Sequence, residues 1–259
     1  MDFIKESLDR IEEWNIDWKV YGMVDRRDRV YSLGDDTKIL GRIFELLVAP
    51  LVEDIAQDHG LTVQPASSQT IYPDFTLMES PEDQHKIAVD VKTTYRRGKY
   101  QQPSTKYGYE AGEEKPFKFT LGSYASFLRD NTKNIEFNYK TYDKDYIIGF
   151  IYSRNEQADE GIVKDIDDKE EIEPPYLDVE YFVQEKYKIA GEKPGSGNTE
   201  NLGNFVTNDV EELQNGEGPF AEHGKEVFKD YWRNYGRYRE EGDYNNLDEY
   251  FDWVEKQED

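Results

Sequence analysis

Apolar residues recur along this chain with two periods, one near 3.6 and one of 2. Between 2 and 14, Phe3, Ile4, Leu8, Ile11 and Trp14 fall on one helical face. Residues 18 to 32 read as a hairpin, with Trp18 to Val24 and the run from Val30 flanking the polar turn Asp25-Arg26-Arg27-Asp28. A second helix opens near Asp35-Asp36, which can cap it, and carries Leu40, Ile43, Phe44, Leu47, Leu51 and Ile55. Pro50 is expected to bend or interrupt it. Strands follow at 61–64, 73–78 and 86–95, and the polar stretch 96–116 predicts a long exposed loop. A helix is expected over 122–130, and the apolar run Tyr146 to Tyr152 suits a buried strand. Residues 155–175 are acidic and read as irregular, and Val179–Val183 with Lys186–Ala190 read as a hairpin. From Lys225 to Arg239 a helix has two faces. Phe228, Tyr231, Trp232 and Tyr235 form one, and Lys225, Lys229, Arg233 and Arg237 recur every four residues on the other. The aromatic face reads as core packing. The basic stripe reads either as a solvated face partly paired with Glu226 or Asp230, or as a phosphate-facing surface.

Candidate chemistry lies in Ile71-Tyr72-Pro73-Asp74-Phe75 and Ile87-Ala88-Val89-Asp90-Val91-Lys92-Thr93. Side chains alternate along a strand, so Asp90 and Lys92 share a face. Pairing the two strands brings Asp74 beside Asp90. Two carboxylates can share a hard divalent cation while an ammonium sits beside a phosphate, a minimal set for cutting a phosphodiester. The same residues also suit a structural Asp90–Lys92 pair flanking a core strand, and spacing alone leaves both readings open. Glu45 sits beside the apolar stripe of the second helix, where periodicity makes it an ordinary solvated glutamate. The run from Gly191 to Thr199 is glycine-rich and lets backbone approach a ligand, or is a flexible turn. It lacks the ending of a phosphate loop, which argues against nucleotide binding.

Composition narrows the classes. A length of 259 residues suits one large domain, and the absence of cysteine excludes disulfides and thiolate metal sites. His59, His85 and His223 show no metal-ligand spacing. No apolar run is long enough to span a membrane, and the N-terminus lacks the blocks of a signal peptide, so a cytoplasmic location is expected. The formal charge is −24, from 56 acidic and 32 basic residues. That balance repels DNA at long range. It fits a salty cytoplasm in which screening shortens the repulsion, or a DNA mimic. An aromatic content of 14% argues against disorder.

Taken together, several segments resemble the EcoRV family of type II restriction endonucleases, within the PD-(D/E)xK nucleases. They include Asp36-Thr37-Lys38, Ile43-Phe44-Glu45-Leu46, Tyr72-Pro73-Asp74-Phe75-Thr76-Leu77, Asp90-Val91-Lys92-Thr93-Thr94-Tyr95, Gly195-Ser196-Gly197-Asn198-Thr199 and Asp230-Tyr231-Trp232-Arg233-Asn234-Tyr235. The last two, in that order, make the resemblance specific.

The resemblance implies an α/β (α+β) restriction-endonuclease-like core, a mixed central β-sheet flanked by helices, as a single domain over 1–259. It implies a dimerisation subregion at about 18–32 plus 146–152, and a DNA-recognition and C-terminal part at about 179–259. Asp74 and Asp90 would hold Mg²⁺, Glu45 would be an auxiliary metal or water contact, and Lys92 would orient water or stabilise charge on the phosphate. Gly195, Ser196, Gly197, Asn198 and Thr199 would read the major groove, and Gln69 and Thr70 would belong to a minor-groove loop. Thr93 and Thr94 would contact DNA, and Arg237 a phosphate. Double-stranded DNA, a second copy of the chain and a cognate DNA methyltransferase are the implied partners. The implied reaction is metal-assisted hydrolysis at GATATC with blunt ends. Thr70 and Glu200 depart from the family's asparagine and threonine, and the segment 99–114 is longer. Competing classes are a DNA-binding relative that has lost cleavage, an acidic DNA mimic, and a repair nuclease selecting structure rather than sequence.

Overall fold

The computed structural model describes residues 1–122, 128, 134–196, 201–236 and 244–258. The first helix, α1 (Phe3–Glu13), is capped by Asp2, which accepts from Lys5 N at 3.2 Å, and it buries Phe3 and Ile11. A tight turn then joins β1 (Gly22–Val24) to β2 (Arg29–Leu33), with Asp25 N donating to Arg29 O at 2.9 Å. Asp36 caps α2 (Thr37–Asp58) by accepting from Lys38 N at 2.8 Å. Pro50 does not interrupt α2. Both Pro50 and Leu46, whose carbonyl loses its donor, are exposed, so water can replace the missing bond while the opposite stripe stays buried.

The main sheet is built from β3 (Thr62–Pro65), β4 (Phe75–Met78), β5 (Lys86–Tyr95), β6 (Tyr142–Arg154) and β8 (Tyr176–Glu185). Its spatial order is β3-β4-β5-β6-β8, parallel only between β5 and β6, so it is a mixed sheet as expected. Between β6 and β8 runs β7 (Glu160–Asp165), which pairs with β2 to make a separate sheet of order β1-β2-β7. The acidic stretch 155–175 therefore contains a strand that its sparse apolar residues did not announce. The expected hairpin at 179–190 is not formed either. Residues 179–183 belong to β8 of the main sheet, and Lys186 to Ile189 make one helical turn, α3 (Lys186–Ile189).

After α3 the chain forms a ribbon of β9 (Ala190–Ser196) and β10 (Asn201–Asn204), then α4 (Val210–Asn215), α5 (Gly224–Asn234) and α6 (Leu247–Glu258). The helix expected at 122–130 falls, except for the buried Leu128, outside the described residues. Among the described residues no helix is long and apolar enough to cross a membrane.

Two cores flank the main sheet. Phe3, Phe44, Val48, Leu51 and Ile55 of the N-terminal helices meet Leu77, Val89, Val91, Ile148 and Phe150 on one face. On the other face Ala88, Ile147, Ile151 and Phe182 pack under Phe228, Tyr231, Trp232 and Tyr250. Gly149 is fitted to this second face, because a Cβ there would lie 2.1 Å from Cζ of Phe182. The stretch 146–152, expected to share a dimer contact, is the middle of β6. It is paired on both edges and buried on both faces, so it offers a partner chain no surface.

Candidate active site

Alternation along the sheet puts Thr76, Ala88, Asp90 and Asp145 on the face toward the C-terminal helices. Asp74 enters just ahead of β4, after a cis Tyr72–Pro73 bond. Its Oδ2 accepts from Val91 N at 2.7 Å, which ties it to the catalytic strand candidate β5. Lys92 Nζ lies 2.6 Å from Asp90 Oδ2 and 4.0 Å from Asp74 Oδ2. The three side chains therefore converge, with Asp90 almost wholly buried and Lys92 reaching partly into solvent.

Burial and the neighbouring Asp90 charge push the Asp74 carboxyl up to about 8, with Lys92 opposing and Glu45 adding to the rise. Burial also acts to raise Asp90, but the Lys92 and Lys186 ammoniums outweigh it and hold that carboxyl below its usual range. Lys92 is held above its usual range by Asp90 and Asp74, although burial opposes this. Asp90 Oδ2, shielded from water, has the Lys92 charge beside it but receives no well-directed hydrogen bond. Two close carboxylates, one of them resisting ionisation, and an under-satisfied inward oxygen form a donor set that a hard divalent cation fits.

Glu45 comes from α2, on the other face of the sheet. Its carboxylate is engaged by Arg42, while its charge is felt at both Asp74 and Lys92. Among the described residues no three carboxylate or imidazole side chains stand close enough to hold a cation together. The structure thus brings Asp74, Asp90 and Lys92 together and leaves Glu45 at the margin.

Gln69 and Thr70 lie exposed on the β3–β4 connection, the same loop that delivers Asp74. Glu136 braces this loop, accepting from Gln64 Nε2 at 2.8 Å and Ser67 N at 3.0 Å. Thr94 is buried and Thr93 half-buried on β5, with Thr93 beside Gly41 of α2. Gly195 packs against Gly203 across the ribbon, where a Cβ would come within 2.9 Å of Gly203 Cα, and Ser196 pairs with Asn201 at the ribbon's end. Gly197, Asn198, Thr199 and Arg237 lie outside the described residues. On α5 the aromatic face is buried, as its period predicts. The basic stripe is largely engaged: Lys225 donates to Asp143 O, Lys229 pairs with Glu226 at 3.2 Å and Arg233 with Asp230 at 3.5 Å.

A buried charged group behind the site was not foreseen. Lys186, fully shielded, lies 3.2 Å from Asp145 Oδ1 and 3.8 Å from the centre of the Tyr72 ring. Asp145 also accepts from Tyr72 OH at 2.5 Å and from Tyr139 OH at 3.2 Å. Asp145 shares its strand face with Ile147 and Gly149, and that alternation was the available signal.

A carboxylate–lysine cluster thus lies on one face of a mixed sheet flanked by helices. The chain belongs to the family described as restriction endonuclease EcoRV, whose model matches residues 14–255. It is 37% identical over 257 residues to the type II restriction enzyme EcoRV of Escherichia coli, covering 98% of both chains. It is therefore a homologue of site-specific deoxyribonucleases. A solved structure, the NlaIV restriction endonuclease, aligns over 89% of this chain and 85% of its own with 10% identity and a TM-score of 0.36, a loose correspondence.

Proposed function

We propose that this chain hydrolyses double-stranded DNA at the palindrome GATATC, leaving blunt ends with 5′-phosphate and 3′-hydroxyl groups, with Mg²⁺ as cofactor. The observation that carries this reading is the convergence of Asp74, Asp90 and Lys92 on one shielded sheet face in a member of this family. In this reading Asp74 and Asp90 hold the cation, and Glu45 is an auxiliary contact. The cation, when bound, supplies charge neutralisation at the phosphate and a more acidic water. Lys92, raised in pKa, stays protonated at neutral pH. It serves as a hydrogen-bond donor and positive charge at the scissile phosphate, not as a base. Asp90 remains ionised beside it.

Gln69 and Thr70 face the minor groove in this reading, and Gly195 to Thr199 the major groove. Thr93, Thr94 and Arg237 add contacts to DNA. A central TA step is easily deformed, so bending adds selectivity at bases left untouched. A palindrome is matched by a two-fold dimer. The sheet β1-β2-β7 supports one, because it exposes Met23 at 63% and Val24 at 55%, together with Ile162 and Val163. Such an enzyme works beside a cognate DNA methyltransferase, in the cytoplasm.

Digestion of DNA of known sequence with Mg²⁺, from low to molar salt, tests this reading when the ends are mapped. Blunt cuts at GATATC are expected. Discrete cuts elsewhere would keep the chemistry and reject the site. Specific binding with no cutting at any salt would favour the second reading, a relative that has lost cleavage.

A further inference from the structure

The stretch Leu61 to Pro73 carries no charged residue, on a chain of net charge −24. Its exposed tip is Ser67, Ser68, Gln69 and Thr70, all neutral side chains that can hydrogen-bond. Within the tip, Ile71 N donates to Ser68 O at 3.0 Å, and Ser68 Oγ lies 3.3 Å from Thr70 Oγ1. At the neck, Ala66 N donates to Asp74 O at 2.9 Å.

A further restraint comes from residues 134–136. Tyr72 N donates to Asn134 O and Glu136 N to Tyr72 O, both at 2.8 Å, so the exit limb of the loop is held in a short parallel bridge. The half-buried Glu136 side chain reaches across to the entry limb. Its Oε1 accepts from Gln64 Nε2 at 2.8 Å and its Oε2 from Ser67 N at 3.0 Å. One residue thus ties both limbs, and both of its carboxylate oxygens are engaged by loop donors. A carboxylate acceptor makes such bonds stronger than those between neutral groups. An amide in its place could accept from only one of the two, because its nitrogen would face the other donor.

A rigid reader and a loose one treat a wrong base differently. A rigid loop cannot turn away, so a mismatch leaves its polar groups unpaired at full cost. A loose loop swings aside and escapes that penalty. It also loses freedom when it meets the right base, which weakens the correct contact. We propose that Glu136 is a positioning residue for sequence selection, holding Gln69 and Thr70 in one fixed setting against the minor groove. The proposal rests on the reading of those two residues as minor-groove contacts, and it assigns their selectivity to a side chain that touches no DNA.

The test uses the full-length protein and a GATATC duplex, compared with the same site carrying 2,6-diaminopurine for adenine or uracil for thymine. Diaminopurine adds an amino group in the minor groove and leaves the major-groove edge intact, whereas uracil removes a methyl from the major groove alone. Ratios of kcat/KM between duplexes cancel the folded fraction of each protein. Glu136→Gln should lower discrimination against diaminopurine by on the order of tenfold, and leave discrimination against uracil unchanged. In Gln64→Glu/Glu136→Gln the amide and carboxylate trade places. The amide nitrogen then donates to the carboxylate while its oxygen accepts from Ser67 N, so most of the lost discrimination should return. Equal loss against both analogues, no loss against diaminopurine, or no recovery in the swapped protein would overturn the proposal. The reading beneath it is judged on the wild type alone. Ends that map elsewhere reject GATATC, and the same base replacements in the mapped site then decide the role of Glu136. Binding without cutting rejects cleavage, and ratios of Kd replace those of kcat/KM. A wild type indifferent to diaminopurine rejects the minor-groove reading and the proposal with it.

Discussion

The two faces of the main sheet are built for different ends. Toward α1 and α2 the sheet presents mainly apolar side chains, with Phe44 stacked on Phe150 at 4.4 Å. Toward the C-terminal helices the same strands carry Asp90, Asp145 and Thr76 in the protein interior, the last bonded to Tyr142 OH at 2.9 Å. One face supplies burial free energy without conditions. The other holds charges whose burial is costly until every one is paired, and Asp74 beside Asp90 is a pair of like sign. A sheet can carry that conflict on one side because the other side is unconflicted.

This contrast can be broken most sharply at Asp74. Asp74→Asn should lower cleavage by on the order of 10³-fold, while the melting temperature holds or rises because a neutral side chain stands beside Asp90 without having to take up a proton. Cleavage kinetics and calorimetry on the same sample decide it, and a large loss of stability would refute the division of labour. The converse variant, Phe44→Ala, should cost about 3–5 kcal/mol of stability. It should keep measurable cleavage at temperatures where it remains folded. Breaking the buried pair comes next. Asp145→Ala strands Lys186 and should destabilise by about 3–5 kcal/mol, whereas Asp145→Ala with Lys186→Met should recover much of that stability. Urea titration of the three proteins would show it, and the absence of recovery would mean that Tyr72 and Tyr139, not Lys186, are the partners that matter.

A further effect lies in pH dependence. Asp74 is raised to about 8 in the folded chain, from 3.8. Between those values the native state keeps a proton that the unfolded chain has lost, so stability without divalent cations should fall as pH rises through that window. Asp74→Asn should flatten this slope in thermal melts at successive pH values. A binding cation displaces the same proton, so apparent Mg²⁺ affinity should climb over the same range. An unchanged slope in the variant would assign the effect to another group.

Sequence reading and structure agree where a residue's role follows from its neighbours along the chain. Alternation placed Asp90 with Lys92, and the stripe of α2 is buried as its period requires. They part where a role depends on a distant segment. Lys186 lies among polar neighbours in sequence and reads as a hairpin surface, yet its ammonium is buried by Tyr72 and Asp145, 114 and 41 positions away. β7 sits in an acidic stretch and becomes a strand because β2 offers it an edge. Pro50 forbids one hydrogen bond, but the burial of seven α2 side chains outweighs that loss. The exposed 96–116 segment is polar as read, but its bridges, Lys99 to Glu114 and Ser104 to Tyr109, depend on pairings that no local pattern records.

The parallel pairing of β5 with β6 has a consequence for the birth of the molecule. Asp74, Asp90 and Lys92 are all synthesised within the first 92 residues, but the strand that β5 needs beside it begins at Tyr142, and β8 closes the sheet only at Glu185. At ordinary rates of translation the ribosome takes on the order of ten seconds to cover that distance. Throughout that interval the nascent chain holds every residue of the candidate cutting centre without the frame that assembles it. A cell making such a chain meets its activity only after that sheet has closed.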